Sequence, residues 1–167
     1  MECDFRKSQL NDLEQIMLIE NSGFTPAEAA TPKAMRERIK NISDTFIVAI
    51  NDEEILGYVV GPTFNQRYLT DNLYQHAPQN SRFDAYQTVL SLAVKPAFRQ
   101  HGVGSQLLSR LAQIARQQNR QGITLTCLQR LVPFYELNGY VNEGLSSSQH
   151  AGENWYNMVY YLGNRGD

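Results

Sequence analysis

One stretch, residues 88–111 (TVLSLAVKPAFRQHGVGSQLLSRL), constrains the fold more than any other. Residues 88–94 are rich in β-branched and aliphatic side chains and have the length of a strand. Lys95-Pro96 ends that strand, because proline has no N–H for a sheet ladder. Arg99-Gln100-His101-Gly102-Val103-Gly104 then reads as a tight glycine turn. From Val103 the apolar residues Leu107, Leu108, Leu111, Ile114 and Ala115 fall on one helical face. A strand, a glycine turn and a helix in that order present backbone N–H groups at a helix N-terminus, which suits a phosphate.

The remaining chain supplies elements around this unit. A first strand at Phe5-Arg6-Lys7 precedes a helix with the stripe Leu13, Ile16, Met17 and Glu20. A second helix starts at Thr31-Pro32 and carries Met35, Arg38 and Ile39, ending near Asn41. Residues 45–50 and 55–63 read as a hairpin, and Gly57 and Gly61 mark a bulge in its second strand. Residues 65–81 are polar and without period. That is long for a structureless connection, so they hold local structure or form a functional loop. After the central helix come a strand at 123–128, a short helix at Val132–Leu137 and two closing strands at 140–145 and 155–162. The β–α–β crossover through the glycine turn demands one parallel pair. The expected fold is therefore α/β in content, one domain over residues 1–167. It has a mixed, mostly antiparallel sheet of about seven strands, a central parallel pair and helices on both faces.

Composition excludes several classes. A net charge of −2 and the lack of a basic tract give little reason to expect nucleic acid or an anionic membrane as partner. No apolar run approaches a membrane span, and the N-terminal residues carry no apolar signal core, so a cytoplasmic location is expected. Cys3 and Cys127 make no disulfide framework, and no Cys, His and acid cluster has metal-ligand spacing, so no metal is expected.

Among phosphate-binding patterns, a Walker loop fails because Ser105-Gln106 follows Gly104 where a lysine is needed. A dinucleotide fingerprint fails for want of a third glycine and of an acid on the next strand. Arg/Gln-x-x-Gly-x-Gly/Ala is satisfied by Arg99–Gly104. With Leu131-Val132-Pro133-Phe134-Tyr135 and Gly139-Tyr140 following, the chain resembles the GCN5-related N-acetyltransferase (GNAT) superfamily. Leu92-Ala93-Val94, Phe98-Arg99-Gln100 and residues 131–135 are similar to the arylalkylamine N-acetyltransferase group within it. The vertebrate members of that group carry two histidines at positions matching Thr88 and Leu90, so an imidazole pair is absent here.

The resemblance implies a splayed parallel pair and acetyl-CoA as co-substrate. Its pyrophosphate would lie on the amides of Gln100, His101, Gly102, Val103, Gly104 and Ser105 beside Arg99. Its pantetheine arm would run along Leu92, Ala93 and Val94. The Leu92 N–H would polarise the thioester carbonyl and Tyr135 would protonate the departing sulfur. From the residues alone, Tyr135 reads equally as a core aromatic. The base stays open between Glu20, water ordered near Thr88, and His76. The acceptor is expected to be a small primary amine, arylalkylamine- or polyamine-like, bordered by Phe24, Tyr68, Tyr74, Thr88 and Leu90. A protein or peptide N-acetyltransferase, or a non-catalytic CoA-binding module, are the competing readings, and a homodimer is compatible with the resemblance.

Overall fold

In the computed structural model, which describes residues 2–163, nine strands form two sheets among the described residues. The first sheet is antiparallel: β1 (Asp4–Lys7), β2 (Phe46–Asn51), β3 (Glu54–Val60) and β6 (Ser91–Val94), in that order. The second runs β4 (Thr63–Phe64), β5 (Tyr86–Val89), β7 (Gly122–Cys127), β9 (Tyr156–Tyr161) and β8 (Val141–Leu145). Its β5–β7 contact is the parallel pair that the crossover demands, and the other contacts are antiparallel. The count exceeds the expected seven because the strand read at 88–94 is split between β5 and β6 and because β4 is a separate two-residue strand.

Alternation along β2 sorts the core into two layers. Ile47 and Ala49 face α4 (Val103–Gln117) and pack with Leu107, Leu111 and Ala115. Phe46 and Val48 face the opposite way, toward Ile16 and Ile19 of α1 (Leu13–Gly23) and Met35 and Ile39 of α2 (Pro32–Asn41). Thr31 caps α2 by accepting from the Ala34 N–H at 3.1 Å, with Pro32 at the first helical position. The obscure stretch 65–81 is anchored rather than loose: it contains the single turn α3 (Asn72–Gln75), and Leu69, Leu73 and Ala77 are buried in the α1/α2 layer.

The split in the central strand positions everything else. Leu90 N–H donates to the Val60 carbonyl at 2.7 Å, while Ser91 is registered with the same Val60. Two residues thus face one, which is a bulge. It carries the chain from the second sheet into the first. Gly61 permits this crossing: a Cβ there would lie 2.1 Å from the Thr88 carbonyl oxygen. Past Val89↔Leu125, β5 has left β7, and the end of β7 at Thr126 and Cys127 diverges from β6.

Candidate active site

The gap between β6 and the end of β7 joins two cavities of about 560 Å³ each. Phe24, Leu92, Leu131, Tyr135 and Trp155 line both, so they stand where the cavities meet.

The second cavity is a backbone surface. Lys95 N–H donates to Leu56 C=O at 2.7 Å, which sets the phase of the antiparallel ladder between β6 and β3. Ser91 and Ala93 then turn their polar groups toward β3, and Leu92 and Val94 turn theirs outward into the gap. The Val94 carbonyl confirms the phase, since it accepts Arg99 Nε at 3.0 Å on that outer side. Arg99 also reaches the Ser22 carbonyl at the end of α1, at 3.5 Å. As an edge strand of the first sheet, β6 offers the Leu92 N–H to an extended ligand.

The glycine turn closes the other end. A 3₁₀ turn, Pro96–Phe98, leads into Gln100 at φ 66° and Gly102 at φ 85°. Gly102 is the N-cap of α4, a left-handed position that costs L side chains roughly 1–2 kcal/mol. The first in-helix acceptor is the Gly102 carbonyl, taken by Gln106 N–H at 3.0 Å. Among the described residues, the amides of residues 100–105 donate to no protein acceptor. Gln100, Gly102, Val103, Gly104 and Ser105 line this cavity, whereas His101 is exposed outside its lining. The orphan amides and the positive end of the α4 dipole suit this end of the cavity to an anion.

Tyr135 sits on α5 (Val132–Leu137), which Pro133 starts. Its ring meets Phe134 and Tyr140 edge-on, at 5.1 and 5.6 Å, and its carbonyl accepts from Tyr140 N–H at 3.0 Å. Burial pushes its phenol above the usual tyrosine range, so it stays protonated through neutral pH. Among the described residues its hydroxyl has no protein hydrogen-bond partner. Cys127 lies nearby, its thiol pushed up to about 12 by burial.

The first cavity is built from side chains. Glu20, 1% exposed, ends the buried stripe of α1. One of its oxygens accepts from the Tyr58 hydroxyl, and the other from Ala30 N–H at 2.8 Å and from Ser91 Oγ at 3.4 Å. Leu90, Leu125 and Phe24 supply apolar wall, and Tyr74 stands with its hydroxyl 2.9 Å from Thr126 Oγ1. Burial raises the Tyr74 phenol to about 12. The loop between β8 and β9 forms a roof. His150 stacks on Tyr74 at 4.7 Å, and its Nε2 faces the Glu28 carbonyl at 3.2 Å. Since a carbonyl only accepts, Nε2 carries the proton. Trp155 Nε1 donates to the His150 carbonyl at 2.7 Å. Asp71 holds the same loop through Ser148 Oγ at 2.6 Å and Gln149 N–H at 3.0 Å.

Two residues expected in the acceptor site are elsewhere. Thr88 is fully buried and spends its hydroxyl on the Pro62 carbonyl at 2.7 Å. It is not among the residues lining the cavity. Tyr68 is on the surface, where its hydroxyl donates to Glu143 at 2.7 Å in a network with Arg67. His76 reaches the cavity edge, with Nδ1 3.5 Å from Glu37. Arg38, Thr126, His150 and Trp155 were not picked out as site residues from the sequence. Only Arg38 carried a signal, an arginine on the apolar stripe of α2.

Comparisons with known proteins agree with this arrangement. Residues 43–142 match the family model for the acetyltransferase (GNAT) domain. That is more than half of the chain, which therefore belongs to the GNAT family and is an acyltransferase. No curated protein matches the chain by sequence. The fold is similar to the loading GNATL domain of CurA from Lyngbya majuscula (TM-score 0.83, 13% identity, 99% of this chain and 100% of that one). It is also similar to Ard1 from Thermoplasma volcanium (0.77, 20%, 96% and 98%). A third is the PaiA N-acetyltransferase from Thermoplasma acidophilum in complex with coenzyme A (0.69, 16%, 96% and 99%). No group of three His, Cys, Asp or Glu among the described residues could hold a metal ion, and no helix among them is long and apolar enough to cross a membrane.

Proposed function

We propose that this protein is an acetyl-CoA-dependent N-acetyltransferase that passes acetyl directly to a small primary amine. One observation carries the reading: Leu92 and Tyr135 line both cavities, so a carbonyl-polarising N–H and a neutral phenol stand where donor and acceptor would meet. The amine nitrogen attacks the thioester carbonyl carbon. Leu92 N–H stabilises the oxyanion, the carbon–sulfur bond breaks, and the Tyr135 proton goes to sulfur. Glu20 takes the proton released by the amine, with the Ser91 hydroxyl between them. The unsatisfied amides of residues 100–105, which suit a pyrophosphate, and the coenzyme A bound to one similar structure support this donor.

Aromatic and aliphatic walls at Phe24, Leu90, Leu125 and Tyr74 favour an arylalkylamine-like body. The pinned roof disfavours an extended peptide, which would have to displace both the Asp71 and the Glu28 contacts. An amine panel read by release of the free CoA thiol tests the proposal, with tryptamine, phenylethylamine, spermidine and short peptides as acceptors. Acetyl-CoA should also raise the melting temperature, and ATP or NAD should not. Turnover confined to peptides, or stabilisation by ATP rather than acetyl-CoA, would overturn it.

A further inference from the structure

The first cavity contains charges of both signs, and they differ in how they are satisfied. Glu20 is held by Tyr58 and the Ala30 amide, and Glu28 accepts from Thr25 N–H at 3.0 Å. Asp71 is bound to the roof loop, and Glu37 faces His76. Each lining carboxylate thus already has protein partners. Arg38 is the opposite case. It sits on the buried face of α2, 2% exposed, yet lines the same cavity. Its Nη2 donates to the Tyr74 carbonyl at 2.8 Å, and its Nη1 is buried without a hydrogen-bond partner. Among the described residues it forms no salt bridge. Glu20 is its largest opposite charge, acting from beyond contact distance.

A guanidinium removed from water with one arm unsatisfied is costly. A packed helix stripe would accept leucine or methionine at this position without that cost. From this unmatched cation in the wall, we infer that the acceptor amine carries a carboxylate, which Arg38 receives when the substrate binds. The inference rests on the acetyl-transfer reading above and narrows its acceptor to amino-acid-type molecules, with an apolar or aromatic side chain against Phe24, Leu90 and Tyr74. A guanidinium suits this role because its forked N–H groups match both carboxylate oxygens. A polyamine fits poorly, because the carboxylates it would need are already engaged.

Matched acceptors that differ only in the carboxylate test this directly: phenylalanine against phenylethylamine, and tryptophan against tryptamine, with phenylalaninamide as the uncharged control. Thiol release by the wild-type protein should show kcat/KM higher for the carboxylate-bearing member by at least about tenfold, as expected for hydrogen bonds to a charged group. Arg38→Met, which keeps an apolar stem of similar length in the core, should bring that ratio to about one. Arg38→Lys should recover part of it. The wild-type comparison needs no variant, so a folding defect does not shield the inference. A wild-type preference for the decarboxylated amines overturns it. So does an Arg38→Met loss that falls equally on both members of each pair, which would mean that Arg38 serves Glu20 or the core instead. Turnover of the plain amines alone leaves the acetyl-transfer reading standing while this inference fails. Absence of thiol release from every acceptor removes both.

Discussion

The two cavities that meet at Tyr135 are made of different material. The proposed donor side is backbone: the outward polar groups of β6 and the amides ahead of α4, all within residues 91–105. The acceptor side is side chain, drawn from α1, α2, the segment around α3 and the loop between β8 and β9. Its roof contacts join residues far apart in sequence, such as Glu28 with His150 (122 apart) and Asp71 with Ser148 (77 apart). A backbone site is specified by local conformation and tolerates change in most side chains around it. A side-chain site can be re-specified one residue at a time. On the proposed assignment the donor surface is set by local backbone and the acceptor side by individual side chains, and substitutions should separate along that line.

The largest effect is expected where the two sides touch. Tyr135→Phe removes only the hydroxyl proposed to protonate sulfur and keeps the ring against Phe134 and Tyr140. It should lower kcat by roughly 10²-fold, the low end for a general acid, with CoA affinity and acceptor KM little changed. Pre-steady-state thiol release and CoA titration read the two quantities separately. A rise in CoA dissociation constant with kcat intact would move Tyr135 to the donor wall. Because burial raises this phenol, the wild-type rate should not fall through its ionisation anywhere near neutral pH.

Next comes a donor-only change. Gly102→Ala places a side chain at φ 85°, where the new Cβ meets only the Gln106 side chain at 3.8 Å, an ordinary contact, but the left-handed backbone is strained. The turn either keeps its shape at a cost of about 1–2 kcal/mol or swings its amides away from the ligand. CoA affinity measured by calorimetry should fall about tenfold, with acceptor preference unchanged. Altered acceptor preference would mean that the two sides are coupled through α4. The acceptor-only counterpart is Asp71→Ala, which frees the roof at Ser148 and Gln149. Acceptor KM should rise by roughly threefold to tenfold, about the worth of one or two such hydrogen bonds, while CoA affinity stays put. Bulky or peptide acceptors should gain relative to small ones.

How much of this was readable in advance follows the same division. Gly102, Pro96, the apolar run before them and the helical period after them are local signals, and they pointed to the proposed donor surface and to the fold around it. The parallel pair and both helical layers followed from element order. The bulge at Leu90 was not legible, because it arises from Gly61 approaching the Thr88 carbonyl across a sheet junction. That approach is why Thr88, expected near the acceptor, is sealed against Pro62 instead. Tyr68 was misplaced for a similar reason: its partner Glu143 lies 75 residues on, and nothing local announces the pairing. His150 lies in the connection between the two closing strands and Trp155 was read as the start of the second, and neither shows a role until Tyr74 and Glu28 are brought to that loop. Arg38 was visible as an arginine on an apolar stripe, but its meaning depends on which donors remain unmatched after folding.

The smallest effect belongs to a cluster that lines neither cavity and so controls the comparison. Arg67 forks onto Glu143 with Nε–Oε1 at 2.9 Å and Nη2–Oε2 at 2.6 Å, while Tyr68 and Tyr161 donate to the same carboxylate. The Arg67 hydrogen bonds, helped by the two tyrosines and opposed by partial burial, take the Glu143 carboxyl from an ordinary 4.5 down to about 2. A carboxyl with a depressed folded pKa stabilises the protein above its unfolded value, and that contribution drains away as pH falls from about 4.5 toward about 2. Exposure to solvent keeps the contribution under about 1 kcal/mol despite the size of the shift. Arg67→Ala should therefore lower the urea midpoint slightly at neutral pH, and the gap from wild type should close near the bottom of that window. CoA affinity and acceptor kinetics should match wild type throughout. A change in acceptor KM would extend the acceptor site onto the β8–β9 surface and blur the division between a local donor site and an assembled acceptor site.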